Sequence, residues 1–204
     1  MSRGIPDAGR SGAGHLAPAH AAAGEPPVEV DLIDATGELS SADQRWIVEQ
    51  THATLRQLPA LGYPIASGSV VAVRVIGDAE MSQVHERYSG IAGTTDVLTF
   101  DHGPGFSSDR PTLLETDLLI CLDEARRQAR PRGLAVRHEL LLYIVHGILH
   151  CLGHDDHDDA AFTRMHQLED QLMLALGLPM AFAAPLADAP SARNAQGNAE
   201  VRSS

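Results

Sequence analysis

His146-Gly147-Ile148-Leu149-His150-Cys151-Leu152-Gly153-His154-Asp155-Asp156-His157 decides how this chain is read. The first two histidines are four apart within a long apolar run. On a helix that spacing sets them one turn apart, about 40° around the axis and roughly 6 Å along it, so both imidazoles can reach one metal ion. Gly153 is the residue type that ends a helix in a left-handed turn. The chain can double back there and bring Asp156 or His157 to the same ion as a third ligand. Neutral imidazoles suit zinc best among the common metals, although nickel, cobalt or iron would accept such ligands. Three protein ligands leave a coordination position for water.

Leu141, Ile144, Val145, Ile148 and Leu152 recur at helical spacing and form a stripe largely opposite the His146/His150 edge. His154 falls in the turn and is a candidate hydrogen-bond donor behind the ligands. Cys151 points away from His146 around the helix and reads as a packed thiol. In the zinc peptidase pattern H-E-x-x-H, a glutamate follows the first ligand and serves as general base. Gly147 stands at that position here, which disfavours a peptidase.

Working outward, the flanking segments alternate between strand and helix patterns. Val28, Val30 and Leu32 alternate with acids as a half-buried strand. Ser41 and Gln44 make a capping-box start for a helix through Trp46, Ile47, Val48 and Leu55. Val70 to Ile76 is β-branched enough for a second strand. A short helix over about 78–87 follows, then strands at Asp96–Phe100 and Asp117–Cys121 around a Gly/Pro/Ser loop. Asp123 to Arg130 reads as a helix stopped by Pro131 and Gly133. The metal helix runs from about Ala135 to Leu152, and a last helix from about Asp159 to Leu176. The fold class is α/β (α+β): one domain with a small mixed sheet of about four strands, about five helices and a zincin-like metal helix. Residues 1–27 and 183–204, rich in Ala, Gly and Pro, read as disordered extensions to a domain over 28–182.

Composition narrows the function. At 204 residues, one domain with a real core is expected. No apolar run has the length of a membrane span, and no continuous apolar segment marks a secretory signal. Cys121 and Cys151 are the only cysteines, which fits a reducing cytoplasm with no disulfide-linked partner. The net charge of −12 opposes a generally basic nucleic-acid binder. Every cationic side chain is arginine, however, and Arg126, Arg127, Arg130, Arg132 and Arg137 crowd one segment. Guanidinium forks grip phosphate, so Arg126, Arg127 and Arg130 are candidate RNA contacts; the plainer reading is a solvated helix face beside Glu124 and Glu139.

Several separated motifs resemble the bacterial YbeY family, described as rRNA maturation factors and endoribonucleases. His146 to Asp156 is similar to the family's H-G-x-L-H-L-x-G-Y-D-H. The likeness continues through Met165, Leu168-Glu169 and Met173 to Gly177. Tyr88, Gly90 and Thr95 to Phe100 resemble Y-R-G…T-N-V-L-S-F, and Asp117 to Cys121 resembles G-D-[IL]-x-I-C. The resemblance spans roughly residues 28–180. It implies a cytoplasmic, zinc-dependent endoribonuclease for single-stranded RNA, acting on the 3′ end of small-subunit rRNA and in ribosome quality control. The small ribosomal subunit is the implied partner. Two of the family's histidine ligands fall on His146 and His150, and the third on Asp156, with His157 as the alternative if the loop slips by one. The family arginine after the tyrosine falls on Ser89, which leaves Arg87 as the candidate catalytic cation; its plainer reading is a surface arginine. Thr95 and Asp96 begin a strand, where Asp96 either bonds near the site or caps the strand. A non-catalytic ribosome assembly factor with a structural metal is the rival reading, and a metallopeptidase the lesser one.

Overall fold

In the computed structural model, which describes residues 28–180 and 200–202, the metal helix lies at the centre of the molecule. The sheet beside it has the order β1-β2-β4-β3-β5. β1 (Glu29–Asp34), β2 (Val70–Ile76) and β4 (Glu115–Cys121) are parallel neighbours, and β3 (Val97–Asp101) runs antiparallel to β4. The three-residue β5 (Glu200–Arg202) pairs parallel with β3. The sheet is therefore mixed, and α/β architecture is what the alternation of patterns implied. The extensions at 1–27 and 183–204 lie outside the described residues, apart from the short segment that forms β5.

Five helices dress this sheet: α1 (Ser41–Gln57), α2 (Asp78–Ser89), α3 (Leu122–Arg132), α4 (Val136–Cys151) and α5 (Asp159–Ala175). Alternation in β2 and β4 sends Val71, Val73, Val75, Leu118 and Ile120 to one face, where they join the apolar side chains of α1, α3, α4 and α5 in the main core. The opposite face carries a smaller cluster of Ile76, Met81, Leu98 and Cys121, covered by α2.

Helix α4 departs from the amphipathic expectation. Every residue from Glu139 to Cys151 is buried, because α1, α3, α5, β3 and β4 surround it. Its apolar stripe exists, but so does apolar packing on the other sides through Leu140, Leu142, Tyr143 and Leu149. The histidines are therefore buried as well. Gly147 makes the closeness to the sheet possible: a Cβ there would come 2.7 Å from Leu118 Cδ2 and 3.0 Å from Thr99 Oγ1. At the helix start, Arg137 bonds Asp43 at 3.1 Å and lies 4.8 Å over the Trp46 ring, tying α4 to α1. Arg132 reaches the buried Glu139 at 2.6 Å.

Two helix boundaries differ from the sequence reading. The cap of α1 is Ser40 rather than Ser41. Its hydroxyl accepts from the Asp43 N–H at 3.0 Å and donates to the Asp43 carboxylate at 2.7 Å, so the acid three residues on selects between adjacent serines. Pro131 does not stop α3. It sits in the last turn, where its missing N–H forfeits one bond, and the helix closes at Gly133 in the left-handed region.

Gly147→Val would force three extra carbons into that contact. The expected outcome is a loss of about 1–3 kcal/mol of stability, read as a lower denaturant midpoint with an unchanged m-value.

Candidate metal centre

The last turn of α4 builds the site. Cys151 ends the helix, and Gly153, at φ 82°, reverses the chain. The Gly153 N–H returns to the His150 carbonyl at 2.9 Å, and the His154 N–H returns to Leu149 at 3.1 Å. Phe106 covers this turn, with ring atoms 3.4 Å from where a Gly153 Cβ would lie. The chain then brings Asp156 back toward the helix.

His146, His150 and Asp156 come together with one ligand atom from each, all within 4.8 Å of one another. The two Nε2 atoms are 3.0 Å apart, with the rings nearly perpendicular. His157, the alternative ligand, is exposed and its ring is turned to the Asp155 carboxylate. It joins Asp155 and Asp156 in an outer cluster instead.

The opposite edge of each imidazole is held by the protein. His146 Nδ1 donates to Glu169 Oε1 at 2.6 Å, and His150 Nδ1 donates to the backbone carbonyl of His154 at 3.0 Å. A proton on Nδ1 leaves a lone pair on Nε2. Two lone pairs thus face each other at hydrogen-bond distance. Only a proton or a metal cation between them makes that arrangement favourable, so the donor set fits a divalent ion. The surrounding charge agrees. Burial opposes a charged His146, yet the bond to and charge of Glu169, with the fields of Asp96 and Asp156, outweigh it and hold the ring above the usual imidazole range. Glu169 shows the converse: burial would raise it, but the His146 and His166 bonds keep it below the usual carboxylate range.

His154 meets the ligand pair as an acceptor, not a donor: its backbone carbonyl takes the His150 Nδ1 bond. The His154 ring packs edge-on against Tyr63 at 5.1 Å, and burial, with the Arg164 charge, lowers its pKa. Cys151 is buried, its Sγ 3.5 Å from the Thr116 hydroxyl. Asp96 caps the start of its strand and acts on the site through its charge. One oxygen accepts from the Val97 N–H at 2.8 Å and the Thr95 hydroxyl at 3.0 Å, while its charge reaches His146.

The candidate arginines divide. Arg127 grips Asp78 with both terminal nitrogens, at 2.7 and 2.8 Å, and Glu124 through Nε at 2.8 Å. Arg126 bonds Glu38 at 2.8 Å and Asp123 at 3.3 Å. Both forks are engaged by carboxylates, as the plainer reading of that segment has it, whereas Arg130 is exposed. Arg87 is exposed on the last turn of α2, its guanidinium 5.6 Å from the centre of the Tyr88 ring. Ser89 is occupied locally, donating to the His85 carbonyl at 2.7 Å.

Glu169 and His166 were missed as site residues. A signal was present: on α5, Met165, Leu172 and Met173 are buried, and Glu169 falls on that same apolar face. An acid within an apolar stripe requires a partner.

A model of the family described as Endoribonuclease YbeY matches residues 34–177. The Endoribonuclease YbeY of Frankia casuarinae is 38% identical over 117 residues, covering 54% of this chain and 57% of that one. Its counterpart in Cutibacterium acnes is 31% identical over 149 residues, with coverage of 71% and 93%. That of Bacillus licheniformis is 30% identical over 156 residues, with coverage of 73% and 95%. The chain thus spans less than two thirds of the Frankia relative's length.

Zinc added to metal-stripped protein should raise the melting temperature, with stabilisation approaching about 2.7 kcal/mol when free metal is 100 times Kd. Asp156→Ala should weaken zinc binding tenfold or more, by about 1.4 kcal/mol, while His157→Ala leaves it within about twofold; calorimetric titration measures both, and the reverse ranking would transfer the third ligand to His157.

Proposed function

The chain belongs to the YbeY family, and from that premise we propose that it is a zinc-dependent endoribonuclease for single-stranded RNA. Its proposed place is the cytoplasm, in maturation of the 3′ end of small-subunit rRNA and in ribosome quality control, with the small subunit as partner. No helix among the described residues is long and apolar enough to cross a membrane. The observation that carries the reading is the pair of imidazole nitrogens converging at 3.0 Å beside the Asp156 carboxylate.

His146, His150 and Asp156 would hold the ion. When bound, it supplies Lewis acidity toward a phosphate oxygen and acidifies water at neutral pH. The chain's own residues do the rest. Glu169 and the His154 carbonyl keep both rings aimed inward, and the negative field of Asp96 and Asp156 favours a cation at that point. The RNA backbone is assigned to exposed guanidiniums, Arg130 and Arg87, with Arg87 as the cation nearest in sequence to the family's arginine position. Arg126 and Arg127 would have to leave their carboxylates to contribute. A peptidase base has no place beside the first ligand, since position 147 abuts Leu118 and Thr99.

A non-catalytic assembly factor remains the rival, favoured by one observation: Ser89 occupies the family's arginine position and is bound to its own helix. The two readings separate in one assay. Metal-loaded protein should cut single-stranded rRNA fragments and leave duplex RNA intact, and a His146→Ala/His150→Ala variant should be slower by more than about 100-fold, the scale of a lost transition-state stabiliser. Equal cleavage by both preparations would sink the nuclease reading. Absent cleavage, with ribosome co-sedimentation kept by the folded variant, would favour the assembly factor.

A further inference from the structure

Helix α5 carries a carboxylate with two imidazoles on it. Asp158 caps the helix by accepting from the Ala160 and Ala161 N–H groups, which fixes where α5 begins. From that start, Met165, Leu172 and Met173 turn into the core, and Glu169 turns in with them, 1% exposed. Its Oε1 lies 2.6 Å from His146 Nδ1 and its Oε2 lies 2.6 Å from His166 Nδ1. Among the described residues, the groups bonded to this carboxylate are imidazoles from two different helices.

An ionised carboxylate only accepts hydrogen bonds. Both Nδ1 atoms facing Glu169 must therefore carry protons. In neutral His146 that fixes Nε2 as the unprotonated nitrogen, facing His150 Nε2. We propose that Glu169, seated by His166, is the positioning residue that makes His146 a metal ligand, so that α5 determines the metal affinity of α4. The inference rests on the metal-centre reading. A purely structural role makes a different prediction: loss of the carboxylate would loosen α5 but leave the His146 tautomer and the metal affinity of the folded protein unchanged.

The chemistry supplies a discriminating variant. Glu169→Gln replaces two acceptors with one acceptor and one donor at nearly the same shape. One of the two rings must then invert. Where it is His146, the proton moves to Nε2 and blocks the ligand position. Where it is His166, the ligand keeps its tautomer but loses the negative charge behind it. Outer partners of metal-bound histidine typically govern affinity by about 10–100-fold.

The experiment measures zinc affinity of wild type, Glu169→Gln and His166→Leu by competition with a chelating dye. Long-range proton–nitrogen NMR of metal-free wild type, at a pH where the ring is neutral, reports the His146 tautomer. Expected results are a 10–100-fold rise in Kd for Glu169→Gln, a smaller rise for His166→Leu, and an Nδ1-protonated His146. Wild type that binds zinc while Glu169→Gln binds it within twofold would overturn the role of Glu169 alone. An Nε2-protonated His146 would overturn it even if the variant fails to fold. Wild type that takes up no zinc would overturn the metal reading together with this one.

Discussion

Two imidazole nitrogens face each other inside a helix with no open side, and most of the local architecture answers that constraint. Histidines on a surface helix could turn their edges to water. On α4, enclosed by three helices and two strands, each ring nitrogen needs a protein partner or an ion. The outer edges take Glu169 and a backbone carbonyl, and the inner edges face each other. Gly147 lets the sheet approach closely enough to complete the enclosure, and Gly153 turns the chain so that Asp156 arrives from outside it.

How much of this could be read from the sequence follows from how local each signal is. The four-residue spacing of His146 and His150 and the breaking Gly153 are local, and they located the metal helix, its end and the returning loop. β-branched content gave β2 its observed bounds, and local patterning placed β1, β3 and β4 to within a few residues. Burial around α4 was not legible, because the residues that cover its polar edge belong to elements far along the chain. For the same reason Glu169 passed unnoticed: its partner lies 23 positions earlier. Ser40 against Ser41 turned on which serine has an acid three residues on, a distinction that the Gln44 pattern masked.

The arginine segment carries the opposite lesson. A cluster of five guanidiniums looks like a phosphate grip when counted along the chain. In three dimensions, Asp78, Glu124, Glu38 and Asp123 approach Arg126 and Arg127 from α2, α3 and the loop before α1. Charge density in one dimension says little when the net charge is −12 and acids outnumber arginines over the chain as a whole. What the sequence could not supply was the acids' position, not their existence.

The anchorage of Arg137 at the start of α4 bears on how the far end behaves. Asp43 holds that guanidinium while Trp46 lies beneath it, so the first turn is pinned both by charge and by an aromatic face. The rod cannot slide along its axis or rotate without breaking both. The opposite end closes at Gly153, after which a run of short polar residues leads to Asp156.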